Sequence, residues 1–491
     1  MADLRSVSEL TILGLPPGGI TPAFERWLAA HPVAGFLLFR RDYETPDDLP
    51  ALARRLRSMN GSRRTFITLD EEGGWVTQLS PHPARLPSAR VLARGTEAQE
   101  TEALAHRLGA ELAAREVDVD FAPVYDVETE PSNPVIGPRS FGHDPVQVSR
   151  YAEAVRRGLL AGGVLPCAKH FPGHGATTVD SHLGLPRLDA AGSVLEAVHV
   201  RPFEVAIRND IPLVMAAHVV YPELDPSGKP ASLSHRILSD LLRRRLGFRG
   251  TVVTDALEMR AVADLAPPDE VAVEALLAGV DLLLYGSFTP ATEGAIRGAD
   301  AALDDGRLPR ARVADAAAHR ESLWARRDAV RAAARPAPDG LPDAVAVCRR
   351  GLAWLGSDGE PPSVSARAVP WRIVEPAWPH GPSLAALLRD QGWQVEAHPW
   401  ERLTELTAKA GEELLVACPR RDLLARAEHE WITHATAVTA VWLVAFAQDG
   451  FLADFPGAAG RLSAGDPSPE MRRAVIEALT SPSRLAARAA R

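Results

Sequence analysis

The sequence predicts an α/β protein made of a (β/α)8 barrel followed by a smaller α/β sandwich domain. Over the first two thirds of the 491 residues, short apolar runs alternate with helical patterns, which is typical of repeated βα units. A chain of this length exceeds one ordinary hydrophobic core, so two domains are expected. Composition also changes along the chain, because seven of the 10 tryptophans follow residue 350.

Eight apolar runs have the length of buried strands and are separated by helical patterns. Eight strands with intervening helices is the number that a (β/α)8 barrel requires, and a long doubly wound sheet is the structural alternative. The predicted strands are 10–15, 35–39, 65–69, 117–123, 164–169, 213–217, 251–254 and 281–285. The predicted helices include 47–58, 97–115, 145–161, 194–209, 234–246 and 270–278.

The domain boundary is predicted at a short stretch rich in proline. We assign residues 1–333, including a helix over 310–333, to the barrel. Residues 334–342 contain three prolines and a glycine, which suit a linker. Residues 343–491 form the predicted sandwich domain, in which apolar runs at 371–374, 413–417 and 438–446 alternate with helices at 383–390 and 423–433. No catalytic motif is recognisable in this second domain.

Charge and composition exclude several classes of function. The chain has 54 basic and 63 acidic side chains, a net charge of -9, which argues against nonspecific binding to nucleic acid. Its three cysteines form no Cys-x-x-Cys pair, so neither a disulfide framework nor a structural zinc site is expected. The first ten residues lack the apolar region of a secretory signal, and no apolar run is long enough to span a bilayer. We therefore expect a cytoplasmic protein without a membrane or nucleic-acid partner.

The ends of five predicted strands carry side chains that are capable of chemistry. In a barrel of this kind, the carboxyl ends of the strands share one mouth, where the active site is built. Scattered surface or core positions would not produce such a regular pattern, so we expect these groups to meet in one site. They are Asp70, Asp126, Lys169, His170, His218 and Asp255.

One segment is especially informative: Lys169-His-Phe-Pro-Gly-His-Gly175, followed by Asp180-Ser-His182. Histidine is the side chain most easily poised for proton transfer near neutral pH, and Asp180 could orient His182 and raise its proton affinity. Zinc ligation by several of these histidines is the competing interpretation, although their spacing matches no helix-borne zinc motif. For His174, a purely structural role is equally plausible.

Asp255 follows the seventh predicted strand and precedes a helix. Taken alone, it would be interpreted as a helix N-cap, which is a common role for aspartate. Its predicted position at the barrel mouth, opposite the histidine segment, favours a functional role instead.

Together these motifs resemble glycoside hydrolase family 3, and specifically its β-N-acetylglucosaminidase branch. The resemblance rests first on the histidine segment and on Asp70-Glu-Glu-Gly-Gly74. Further matches, in family order over residues 35–286, are Gly35-Phe-Leu-Leu-Phe39, Ile136-Gly-Pro-Arg-Ser-Phe-Gly142, Met215-Ala-Ala-His218 and Thr254-Asp-Ala-Leu-Glu-Met259. The histidine-rich motif is specific for this branch, whereas Glu-Gly-Gly alone is a weak signal.

The resemblance implies a mechanism and a set of site residues. Asp255 would be the nucleophile that forms a covalent glycosyl-enzyme intermediate, and His182, held by Asp180 on a mobile loop, would be the general acid/base. The reaction would be a double displacement with net retention, and neither a metal nor an organic cofactor is implied. The residues expected to bind the sugar are Asp70, Arg139, Lys169, His170, His218 and Met259.

The activity implied is exo-hydrolysis of terminal β-linked N-acetylglucosamine from peptidoglycan fragments or chitooligosaccharides. A β-N-acetylglucosaminide phosphorylase is an alternative, since a histidine acid/base does not repel an incoming phosphate as a carboxylate would. Another family 3 β-glycosidase and a catalytically inactive sugar-binding protein are further alternatives. The presence of Asp255, His182 and Asp180 disfavours the inactive protein.

Two departures from the family pattern concern the segment after Glu-Gly-Gly. Trp75 and Gln78 stand at positions where many members carry arginine. Trp75 could stack on a sugar ring or simply pack, and we favour packing. Gln78 lacks the fixed positive charge that arginine would supply. Both departures concern recognition of the aglycone and of charged groups of the substrate more than the catalytic mechanism.

Overall fold

The computed structural model describes residues 6–61, 64–181, 183–355, 371–378, 381–409, 413–418, 424–447 and 450–480. The predicted acid/base His182 lies outside the described residues. The described chain forms a closed eight-stranded barrel and a separate six-stranded sheet.

The barrel contains all eight predicted strands in sequential order. All neighbours are parallel, and β1 closes the barrel by pairing with β8, with Ile12 opposite Leu284. The strands are β1 Thr11–Gly14, β2 Gly35–Leu37, β3 Phe66–Leu69, β4 Val119–Asp120, β5 Leu165–Phe171, β6 Leu213–Ala216, β7 Thr251–Ala256 and β8 Leu282–Tyr285. The predicted (β/α)8 barrel is therefore confirmed, and the doubly wound alternative is wrong.

The strands were recognisable because they are buried on both faces. Every residue of β1, β2, β3, β5, β6 and β8 is buried. Strands of a parallel barrel are covered inside by other strands' side chains and outside by helices, so they appear as continuous apolar runs. Inside the barrel, side chains such as Phe66, Phe121 and Leu282 pack into one cluster.

The helices cover the outside of the barrel. In Pro145–Gly162, for example, the Asp144 side chain accepts hydrogen bonds from Val146 and Gln147, and Gly163 ends the helix with a φ of 98°. The other helices of this domain are Pro22–Ala30, Leu49–Met59, Ala89–Gly95, Ala98–Ala114, Gly192–Val194, Arg201–Arg208, Arg260–Ala263, Pro268–Ala278, Pro290–Asp304 and Arg310–Ala332, with π-helical segments at Leu195–Val200 and Arg236–Arg245. Among the described helices, none has both the length and the apolar character needed to cross a membrane.

The second domain is built on a mostly parallel sheet of order β11-β10-β12-β13-β14-β9. Trp371, Trp393 and Trp442 are buried in its core, which accounts for part of the tryptophan enrichment. The strands are β9 Ala353–Trp354, β10 Trp371–Glu375, β11 Val395–Pro399, β12 Glu413–Cys418, β13 Ala440–Ala445 and β14 Gly460–Ser463, and the helices are Ala344–Gly351, Leu384–Asp390, Arg426–Val438 and Pro469–Thr480. Only the edge strand β9 runs antiparallel to its neighbour.

Candidate active site

A pocket of about 520 Å³ opens among the segments that follow the carboxyl ends of the barrel strands. Burial in the barrel fixes the strands, so side chains just beyond them converge on one mouth. Six of the predicted site residues line this pocket: Asp70, Arg139, Lys169, His170, Asp255 and Met259.

One wall of the pocket is an ion-pair network centred on Lys169. Its ammonium lies 2.6 Å from Asp70 Oδ1 and 2.5 Å from Glu72 Oε1. Glu72 in turn accepts two hydrogen bonds of 2.8 Å from the Arg139 guanidinium, at Nε and Nη2. Glu72 was not among the predicted site residues, although it lies in the same motif as Asp70, two residues further from the strand end.

The surroundings of Glu72 and Lys169 favour the charged form of each side chain. Burial alone would raise the pKa of Glu72, but Arg139 and Lys169 hold that pKa well below its ordinary value. Burial alone would lower the pKa of Lys169, but Asp70 and Glu72 raise it above its usual range. A rigid set of charged donors and acceptors at the pocket wall is suited to hydrogen-bonding the hydroxyl groups of a sugar.

A second network is organised by Asp126, a fully buried carboxylate after β4. Its Oδ2 lies 2.7 Å from Nδ1 of His170, and its Oδ1 accepts a hydrogen bond of 2.7 Å from the His174 amide. Nδ1 of His170 thereby faces Asp126, and its Nε2 lies 3.5 Å from Nη2 of Arg139 at the pocket wall. The sequence predicted Asp126 at a strand end facing the common mouth, but not its pairing with His170, which lies on the next strand.

Asp255 lies at the pocket near the end of β7. Its Oδ1 accepts a hydrogen bond of 2.8 Å from the Ala256 amide. Burial alone would raise the pKa of Asp255, but His170, His218 and Lys169 act in the opposite direction and hold it below its ordinary value. An ionised carboxylate in this position can act as a nucleophile or stabilise positive charge.

The loop that carries Asp180 is fixed beside the pocket through Ser181. The Ser181 hydroxyl lies 3.3 Å from Nε2 of His174, and the Ser181 carbonyl accepts a hydrogen bond of 3.2 Å from the Ala261 amide. Burial and the neighbouring His170 lower the pKa of His174 to about 4, so its imidazole is neutral near pH 7. Thr177 lies 2.9 Å from the other His174 nitrogen, so His174 holds this loop together, and it also lines the pocket. Asp180 itself is half-buried and is not among the pocket-lining residues.

His218 contacts the backbone next to Asp255. Its side chain is buried, with Nδ1 2.7 Å from the Ser232 hydroxyl and Nε2 3.1 Å from the Ala256 carbonyl. It is not among the residues that line the pocket, and a direct contact between His218 and the sugar stays a prediction. Because Ala256 follows Asp255, His218 supports the backbone that carries the carboxylate.

A metal-binding role has weak support among the described residues. His170 and His174 direct ring nitrogens at Asp126, Thr177 and Ser181. The compact carboxylate–imidazole cluster that the described chain contains is formed by Asp281, Asp315 and His319. It lies at the opposite end of the barrel, and Asp281 is already paired with Arg243 and Arg312, whose positive charges oppose a cation.

The side chains of Trp75 and Gln78 are both held by hydrogen bonds. The Trp75 indole N–H donates a hydrogen bond of 3.0 Å to the Phe446 carbonyl of the second domain. The Gln78 side chain accepts one of 2.8 Å from the Arg40 amide and lines the pocket. Trp75 is half-buried, and its role as a packed aromatic stays a prediction.

Known proteins resemble this chain in sequence and in structure. The family model of the glycosyl hydrolase family 3 N terminal domain matches residues 4–323. A β-hexosaminidase of Chromobacterium violaceum is 38% identical over 267 residues, which cover 53% of this chain and 74% of that protein. β-Hexosaminidase A of Pseudoalteromonas piscicida is 33% identical over 284 residues, which cover 54% of this chain and only 48% of that longer protein.

The similarity to solved structures extends over both domains. A glycoside hydrolase family 3 β-N-acetylglucosaminidase from Paenibacillus sp. str. FPU-7 superposes with a TM-score of 0.88 at 27% identity. The superposition covers 98% of this chain and 97% of that one. The barrel and the second sheet therefore occur together in that enzyme as well.

Proposed function

The chain belongs to glycoside hydrolase family 3, and on this premise we propose that it is a retaining exo-acting β-N-acetylglucosaminidase. Its substrates would be peptidoglycan fragments or chitooligosaccharides that end in β-linked N-acetylglucosamine. The names of the relatives, β-hexosaminidase and β-N-acetylglucosaminidase, support an N-acetylhexosamine over glucose.

The observation that carries the proposal is the position and charge of Asp255. Its carboxylate lines the pocket, and nearby positive groups keep it ionised despite burial. The Lys169 network would hold the sugar hydroxyls, with Asp70 accepting and Arg139 donating hydrogen bonds. These contacts would present the anomeric carbon to Asp255 in a fixed orientation.

The proposed reaction has two steps. First, an Asp255 oxygen attacks the anomeric carbon, the glycosidic C–O bond breaks, and the leaving oxygen takes a proton from His182. Then His182 takes a proton from water, whose oxygen displaces Asp255, releasing the sugar and restoring the carboxylate. The roles of His182 and Asp180 are proposed from the sequence motif, and the position of Ser181 at the pocket supports them.

The first test compares aryl β-N-acetylglucosaminide with aryl β-glucoside, each with and without phosphate. Selective release from the N-acetyl sugar is expected, at a rate independent of phosphate. A strict requirement for phosphate would instead identify a phosphorylase, and no release from either substrate would contradict the proposal.

A second test concerns the nucleophile. Asp255→Gly should abolish turnover, and added azide should restore release of an activated aryl glycoside with formation of the α-glycosyl azide. Asp264→Ala is a matched control, because Asp264 is an exposed carboxylate at the C-terminal end of the next helix, and this variant should retain activity. Undiminished turnover in Asp255→Gly would refute the nucleophile assignment.

His182→Ala tests the general acid. Loss of the acid should slow glycosides with poor leaving groups far more than activated aryl glycosides, since only the former need protonation. Equal losses on both kinds of substrate would contradict that role.

A further inference from the structure

The loop between β3 and the next helix, residues 70–88, supplies several residues to the pocket. Asp70, Glu72, Val76 and Gln78 all line it. We call this segment the β3 loop. Its conformation decides whether Glu72 can pair with Lys169 and Arg139 across the pocket.

Three residues of the β3 loop, Trp75, Arg85 and Ser88, bond to the second domain. The Trp75 indole donates to the Phe446 carbonyl at 3.0 Å. The Ser88 amide donates to Asp466 Oδ2 at 2.8 Å, and the Ser88 hydroxyl donates to the Gly465 carbonyl at 2.9 Å. Arg85 also forms an ion pair with Glu470. Ser88 and Asp466 are both buried, where hydrogen bonds are costly to lose.

The end of the loop held by the second domain packs directly on the turn that follows Glu72. The Gly74 amide donates a hydrogen bond of 3.0 Å to the Leu86 carbonyl. A Cβ atom on Gly74 would lie 2.6 Å from Cβ of Ser88, and one on Gly73 would lie 2.5 Å from the Leu86 oxygen. The two glycines therefore let residues 86–88 contact the turn at backbone distance.

Glu71 joins the middle of the loop to the same turn. Its buried carboxylate accepts hydrogen bonds from the amides of Gln78 and Leu79, at 2.5 and 2.9 Å, and from the Thr77 hydroxyl at 2.8 Å. Residues 71–79 thus form one closed turn. Its outer side packs against Ser88 at Gly74 and hydrogen-bonds to the second domain at Trp75. A displacement at either contact would be transmitted to Glu72.

We propose that the second domain positions the β3 loop for sugar binding, with Trp75, Ser88 and Asp466 as positioning residues. None of these three residues lines the main pocket. They act through Glu72, whose pairing with Lys169 and Arg139 orders the pocket wall. Trp75, which stands where many family members carry arginine, would thus act through its contact with the second domain. The choice of ligand in the test below rests on the proposed function.

The experiment compares variants of the full chain. Trp75→Phe removes the indole N–H and keeps an aromatic ring. Ser88→Ala removes the hydroxyl that donates to Gly465 and also caps the helix Ala89–Gly95. Arg350→Gln is the matched control, because Arg350 joins the second domain to the barrel through Glu100 at 2.6 Å, on a helix outside the pocket wall.

The first readout is the affinity for N-acetylglucosamine, measured as a competitive inhibition constant. The Trp75→Phe/Ser88→Ala double variant should bind it about tenfold more weakly, as expected for two lost hydrogen bonds that position the site. Arg350→Gln should lower the thermal midpoint and leave the inhibition constant unchanged. Equal inhibition constants in the double variant and in the control would overturn the proposal.

The second readout does not depend on any ligand. Hydrogen exchange of the amides of residues 71–79 should be faster in the double variant than in the wild type, and unchanged in Arg350→Gln. Unchanged exchange in the double variant would overturn the proposal. If the wild type fails to bind N-acetylglucosamine but exchange in the double variant is faster, the proposed function fails while the positioning role stands.

Discussion

Replacing Glu72 by glutamine tests the charged wall of the pocket most directly. The Glu72 side chain is 5% exposed and contacts two cations, Lys169 at 2.5 Å and Arg139 at 2.8 Å. Glutamine keeps the size of the side chain but removes the negative charge and directs an amide N–H₂ group at one of the two cations. Removing one partner of a buried ion pair costs about 3–5 kcal/mol. Because the amide oxygen of glutamine still accepts a hydrogen bond, we expect about 3 kcal/mol, at the lower end of that range.

The loss should be measured by urea unfolding at neutral pH, together with the inhibition constant for N-acetylglucosamine. We expect that constant to rise at least about tenfold, since about 1.4 kcal/mol of binding energy is lost when Lys169 and Arg139 repel each other. Asp281→Asn is the control: Asp281 also bridges two arginines, Arg243 and Arg312, but at the opposite end of the barrel. This control should lose stability and keep its affinity. A Glu72→Gln protein with wild-type stability and affinity would refute the reasoning.

The same variant has a defined pH dependence. The folded-state pKa of Glu72 is held below its ordinary value, since Arg139 and Lys169 outweigh the effect of burial, which alone would raise it. The carboxylate therefore stabilises the fold at pH values above its unfolded pKa of about 4.3, and this stabilisation is lost as the pH falls toward the folded pKa. The difference in unfolding free energy between wild type and Glu72→Gln should thus be largest near neutral pH and shrink below about pH 4. A constant difference down to pH 3 would contradict the assignment.

Three further substitutions test separate parts of the site. Gly73→Ala should lower the free energy of unfolding in urea by about 2 kcal/mol more than Gly228→Ala does. Both glycines have a positive φ, but of the two only Gly73 has atoms within 4 Å of where the new Cβ would lie. Equal losses would show that the contact with Leu86 is unimportant. Ser181→Ala should slow hydrolysis of glycosides with poor leaving groups by about fivefold, and hydrolysis of activated aryl glycosides less, because the Ser181 bond to His174 holds the loop of the proposed acid. A uniform effect on both kinds of substrate would count against this role. His218→Gln should lower kcat with little change in the inhibition constant for N-acetylglucosamine, since His218 contacts the backbone beside Asp255 and does not line the pocket. A change in the inhibition constant alone, with kcat unchanged, would place His218 in sugar binding.

The barrel could be predicted because its strands leave a local signal. A strand such as β3 or β8 is buried on both faces, so its apolar run is continuous and stands out from the helices around it. Boundaries were less accurate where the strand is short, as at β4, which spans Val119–Asp120 within a predicted run of 117–123. The helix predicted over 194–209 contains the π-helical turn Leu195–Val200, which no simple periodicity indicates.

The candidate site could be predicted in outline for a related reason. Asp70, Lys169 and Asp255 follow strand ends, and the geometry of a parallel barrel brings such positions to one mouth whatever the intervening sequence. The family motifs supplied the roles of His182 and Asp180, which the described residues do not test. The position of a reactive residue relative to the end of a strand can thus be predicted from the sequence alone.

Side-chain partners were decided only by the tertiary structure. Glu72 pairs with Lys169 and Arg139, and Asp126 with His170, through contacts that join different strands. His218 lies at a strand end like the others, yet it turns to Ser232 and Ala256 instead of the pocket.

By itself, the sequence determined which segments are buried and where along them the reactive groups stand, because burial and strand ends are properties of a few consecutive residues. Only the packed structure decided which of those groups face one another and how the second domain touches the β3 loop. Those contacts join residues as far apart as Trp75 and Phe446, and their geometry depends on the packing of the whole chain between them.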